Sequence, residues 1–182
     1  MRLKVSILAT LSSVALFSTD ATAVESARAE VVVAQPANPF ARFMGEWTLK
    51  DDAWSHNWGG ASESIKIPNH HTAFRPVNTG SSVLCAVDTP PKGHILWAFN
   101  PAKNEVRHLS SFGELRIGVG HGSLNDKGDL RLKVSFEGEA PGTYRIYNYV
   151  WINRDEYDMR SVQYDASDKA TGLFYGGRFI RK

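Results

Sequence analysis

Beyond residue 44 the hydrophobic positions recur with a period of two, and no stretch sustains the 3.6-residue period of a helix. The clearest run is Asp129 to Glu137, where Leu130, Leu132, Val134 and Phe136 alternate with Arg131, Lys133, Ser135 and Glu137. This is the pattern of a strand with one face in water. Asn125-Asp126-Lys127-Gly128 precedes it as a hairpin turn, with Gly128 free to adopt positive φ. Asn100-Pro101-Ala102-Lys103-Asn104 joins strands at 94–99 and 105–111 in the same way. Further strands are expected at 44–50, 61–67, 71–77, 81–87, 114–122, 143–152, 156–163 and 172–181. Short strands at this meander-like spacing predict an all-β fold, an up-and-down antiparallel barrel of about ten strands. Closing the sheet removes the adhesive edges that an open one would present. Asn38-Pro39 adds an N-cap with proline at the first helical position, predicting a short N-terminal helical turn over Phe40–Phe43.

Several strands are apolar or aromatic on both faces. In 144–152, Tyr144, Ile146, Asn148, Val150 and Ile152 share one face, and Arg145, Tyr147, Tyr149 and Trp151 the other. Ile95, Trp97 and Phe99 likewise lie opposite His94, Leu96 and Ala98. One face of a barrel wall must point inward, and rings turned toward a cavity make a ligand surface. Trp97, Phe99, Tyr147, Tyr149 and Trp151 are therefore candidate ligand contacts, although parity alone does not say which of them face inward.

Residues 1–23 change the picture of where such a barrel works. Arg2 and Lys4 precede an apolar run from Val5 to Phe17, and Ala21-Thr22-Ala23 ends the segment. A cationic start, a short apolar stretch and an A-x-A end are the parts of a secretory signal peptide. The run is broken by Thr10, Ser12 and Ser13, and it is far shorter than the roughly 20 residues of a membrane span. The expected organisation is a signal peptide at 1–23, a flexible tether at 24–38 and one barrel domain at 39–182. The protein is then exported, periplasmic or secreted, with no integral membrane segment after cleavage. Removing residues 1–23 takes Lys+Arg from 21 to 19 and Asp+Glu from 19 to 18, a net charge of +1. The basic residues are scattered, which argues against a nucleic-acid partner. Cys85 is the one cysteine, so no internal disulfide forms, and its place in Ser82-Val83-Leu84-Cys85-Ala86-Val87 suits a small buried hydrophobe.

At Phe43-Met44-Gly45-Glu46-Trp47 the chain resembles the opening of lipocalin-like (calycin) barrels, whose first strand carries Gly-x-Trp. The resemblance implies that Gly45 and Trp47 close one end of the barrel, with an arginine of the last strand packed on the indole. Arg178 and Arg181 are available, and Arg181 is the favoured partner. More narrowly, residues 40–182 resemble the bacterial lipocalin-like DUF1579 family. The shared features are the Gly-x-Trp start, the Trp97-Ala98-Phe99-Asn100-Pro101 hairpin, a Gly-rich strand pair and a last strand ending in Arg. In such barrels the first connecting loop covers the open mouth. Here that loop is expected at Asp51–Gly60, which makes Trp54 and Trp58 a candidate lid.

Catalytic chemistry finds no constellation. There is no Gly-x-Ser-x-Gly elbow, and Gly118-x-Gly120-x-Gly122 lies in a strand with no helix after it, so it is no phosphate loop. Of six histidines only His70 and His71 are adjacent, and strand neighbours point to opposite faces. Without a recognisable cofactor motif, the reading is a non-enzymatic binding protein holding a small hydrophobic or amphipathic molecule. The alternatives are a haem barrel with His108 as the axial ligand, and a dimeric interaction protein with a filled barrel. The latter would make the partner a second copy.

Overall fold

In the computed structural model, residues 38–77, 80–113 and 116–182 are described. The signal peptide expected at 1–23 and nearly all of the tether at 24–38 lie outside them. Twelve strands follow a 3-10 turn at Ala41–Phe43: β1 (Gly45–Leu49), β2 (Ala53–Asn57), β3 (Glu63–Lys66), β4 (Thr72–Pro76), β5 (Ser82–Val87) and β6 (Gly93–Asn100) in the first half. β7 (Glu105–Phe112), β8 (Arg116–Leu124), β9 (Leu130–Phe136), β10 (Tyr144–Asn153), β11 (Glu156–Tyr164) and β12 (Ala170–Arg181) complete the chain. The N-terminal turn is set by the Asn38 side chain, whose Oδ1 accepts the Phe40 N–H at 2.8 Å.

All pairings are antiparallel, running β1-β4-β5-β6-β7-β8-β9-β10-β11-β12, and the pair β1–β12 closes the ring. β2 continues β1 along the same β12 edge after a kink at Lys50–Asp52, where Asp51 and Asp52 both have φ near 54°. β3 continues into β4 in one register, with Ala53 opposite Lys66 and Gly45 opposite Phe74. The twelve strands therefore make a closed, up-and-down barrel of ten antiparallel staves. The segment expected as a loop at 51–60 is a strand in its middle: Trp54 and His56 share a face of β2, while Trp58 lies just past its end.

The alternation read in β9 is the burial pattern of the strand, with Leu130, Leu132, Val134 and Phe136 inside. β8 faces inward with Gly118, Gly120 and Gly122 because no side chain fits there. A Cβ on Gly120 would collide with the Lys133 carbonyl and the Val134 backbone of β9. These glycines answer to close strand approach, not to a ligand. Outside, Leu84, Leu96, Leu109 and Val119 form one cross-strand row over β5–β8.

One end of the barrel is plugged by rings. The 3-10 turn drives Phe43 inward against Phe74, Trp97, Trp151 and Tyr157, with ring centroids 4.8–5.7 Å apart. Trp47 is fully buried beside Trp151 and Tyr157, and its Nε1 donates to the Phe43 carbonyl at 2.8 Å. The Arg181 guanidinium lies 4.3 Å from the centre of the Trp47 ring. Its Nη1 donates to the Met44 carbonyl at 2.6 Å, Nη2 to the Arg42 carbonyl at 3.0 Å, and Nε to Asp155 Oδ1 at 2.7 Å. Gly45 has φ +116°, and a Cβ there would sit 2.9 Å from Arg181 Nη1. Glycine is thus required both by backbone conformation and by the approach of the arginine.

Candidate functional site

Above this plug the barrel encloses a cavity of about 340 Å³, within the range of small-molecule sites. Its floor is formed by Phe74, Tyr149, Tyr157 and Phe179, and its walls include Ile95, Cys85, His108, Phe136, Tyr147 and Met159. Trp54, His56, Trp58 and Tyr175 line one side, facing Pro90, Pro91, Phe112 and Arg116. Arg116 is the one formally charged lining residue among the described residues. It lies over the Phe136 ring and is paired to Glu139 at 3.4 Å. A barrel with this space inside is not a filled one.

The candidate ligand contacts divide by depth. Trp54, Trp58, Tyr147 and Tyr149 line the cavity. Trp97, Phe99 and Trp151 do not. Trp97 is fully buried among Phe40, Phe43, Phe74 and Tyr149. Trp151 belongs to the plug, with Arg42 over it and its Nε1 donating to the Gly128 carbonyl at 2.9 Å. Phe99 packs on the same core. These three belong to, or pack against, the buried aromatic core at the plugged end.

The site adds residues that the sequence did not single out for binding: His56, His70, Tyr175, Phe136 and Arg116. Tyr175 is sandwiched by Trp54 at 5.7 Å and Trp58 at 5.1 Å, and its hydroxyl hydrogen-bonds that of Tyr147. The Trp54-x-His56-x-Trp58 alternation was a legible signal for this face, masked by the polar residues between. Nothing local marks His70, which follows a turn at Pro68-Asn69, where Asn69 has φ 58°.

Burial sets the ionisation of the cavity. Desolvation lowers His108 from 6.5 to about 4, and desolvation, with a smaller contribution from His71, lowers His70 by as much. Desolvation also raises the Tyr147, Tyr149 and Tyr157 phenols and the Cys85 thiol well above their usual values. A thiol so held is a poor nucleophile.

His108 does not suit the axial role in haem binding. Its Nδ1 accepts the Trp97 Nε1–H at 3.1 Å, so in the neutral ring the proton is assigned to Nε2, which donates to Ser110 Oγ at 3.0 Å. Neither nitrogen keeps a free lone pair for iron. No group of three or more His, Cys, Asp or Glu side chains able to hold a metal ion occurs among the described residues. His70 and His71 turn to opposite sides: His70 is buried, whereas His71 pairs outside with Asp88 at 3.0 Å and Glu46 at 3.5 Å.

The architecture and cavity define a closed β-barrel whose inner geometry is compatible with binding. No protein-family model matches the chain. No curated protein matches it either. Among solved structures it is similar to a protein of unknown function from the DUF3598 family of Nostoc punctiforme, at 10% identity over 80% of this chain and 98% of that one. The TM-score of 0.22 is too low for that likeness to carry an argument. No helix among the described residues is long and apolar enough to cross a membrane.

Proposed function

We propose that the protein is an exported, lipocalin-like carrier that holds one small, mainly apolar or amphipathic molecule in its barrel. The observation that carries this reading is the aromatic-lined cavity of about 340 Å³ above a plugged end. Export rests on the composition of residues 1–23, and the lipocalin-like, DUF1579-like affiliation on Gly45, Trp47 and the Trp97–Pro101 hairpin. The stacking of Arg181 on Trp47 supports the same affiliation. Burying an apolar body here gains roughly 25 cal/mol per Å², and the preformed walls keep the ordering cost low. Titration with the neutral fluorophore N-phenyl-1-naphthylamine tests the reading. Saturable one-to-one binding, weakened by Trp54→Ala and Tyr149→Ala, is expected. A linear, non-saturating response in a folded protein would reject it.

A further inference from the structure

The inner polar atoms of this barrel are treated in two ways. The ring nitrogens of Trp47, Trp97 and His108 are satisfied within the wall, by the Phe43 carbonyl, by His108 and by Ser110 respectively. Others are buried without a partner: the small hydroxyls of Thr72 and Ser161, and one ring nitrogen each of two histidines on the β2 side of the cavity. His56 and His70 are 9% and 7% exposed, both line the cavity, and the Nδ1 atom of each is buried without a hydrogen-bond partner. Neither ring is loose. His56 stacks on Trp58 at 5.5 Å and 26°, and His70 is held between Trp54 at 6.1 Å and Phe179 at 5.5 Å. The two imidazoles are therefore positioned by aromatic packing, with hydrogen-bonding capacity left over at the edge of an apolar space.

Resting on the carrier reading above, we infer that His56 and His70 form the polar edge of the site, and that its ligand is an uncharged aromatic molecule carrying a hydroxyl. The unpartnered Nδ1 of each ring can accept or donate one hydrogen bond, and a hydroxyl answers either. The flat walls of Trp54, Trp58 and Tyr175 suit a planar body. A charge placed between the two histidines would meet no free counter-ion among the described lining residues. Arg116 stands across the cavity and is paired to Glu139, and the buried Arg145 behind the Tyr175 ring does not line the cavity and is paired to the same Glu139.

The test uses two probes of nearly equal shape, 2-naphthol and 2-methylnaphthalene, followed by quenching of tryptophan fluorescence at pH 7. The wild-type protein binds 2-naphthol about tenfold more tightly, although the methyl compound is the more apolar of the two. In His56→Phe and His70→Phe the ratio of the two affinities falls toward unity, whatever the substitution does to the affinity for 2-methylnaphthalene itself; a tenfold ratio kept in both variants overturns the inference. Equal wild-type affinities overturn the inference even if the variants fail to fold, and leave the carrier reading intact. Absence of binding by either probe overturns both.

Discussion

At the scale of single residues, Arg181 is the most consequential side chain of the closed end. It satisfies two carbonyls of the N-terminal turn and covers the Trp47 indole. Arg181→Ala leaves those carbonyls unpaired and is expected to cost about 2–4 kcal/mol, with fluorophore affinity unchanged. Denaturant unfolding beside a titration separates the two effects. Gly45→Ala meets the same arginine and a φ of +116°, so it loses comparable stability. His70 and His108 act through pH. Both are held neutral in the fold, at about 4 against 6.5 when free. Their stabilising contribution is complete above pH 6.5 and is lost as pH falls toward 4, because only the unfolded chain takes up the protons in that window. Each fully titrating group sets a slope of up to about 1.4 kcal/mol per pH unit. Stability measured between pH 7 and 4 should fall, and should fall less steeply in His70→Phe; a flat wild-type profile would contradict the burial of these rings.

At the scale of elements, the hairpin β2–β3 carries the binding side and the N-terminal turn carries the plug. Trp58 is 54% exposed and stacks on Tyr175 and His56 at the mouth. Trp58→Ala should leave stability within about 0.5 kcal/mol but weaken the fluorophore about tenfold. Trp97→Ala should do the reverse, costing about 3–5 kcal/mol. Parity of the pattern made the strands legible: Leu130 to Phe136 point inward as their alternation says. For 144–152, apolar or aromatic on both faces, parity left the inward face open, and the structure turns Tyr147, Tyr149 and Trp151 to the core. Depth along a strand was not legible, since Tyr149 and Trp151 share a face yet only the first reaches the cavity. The kink at Asp51–Asp52 hid β2, because two acidic residues before Ala53 read as loop chemistry while the structure uses their left-handed backbone to bend one stave.

At the scale of the molecule, ten staves and one aromatic plug leave an aromatic-lined cavity above the plug, and composition alone could not say whether that space exists. Its presence depends on how Phe40 and Phe43 enter from the N-terminal turn and on the glycines that let β8 and β9 close together. Gly120→Ala, which forces those strands apart, should cost about 3 kcal/mol and be visible as a lowered thermal midpoint. The central claim, that the cavity carries a small molecule, is tested most directly by native mass spectrometry of the protein isolated from its own host's envelope fraction. The account predicts one reproducible added mass per chain that disappears on denaturation. An apo mass alone, persisting after incubation with excess N-phenyl-1-naphthylamine, would contradict it.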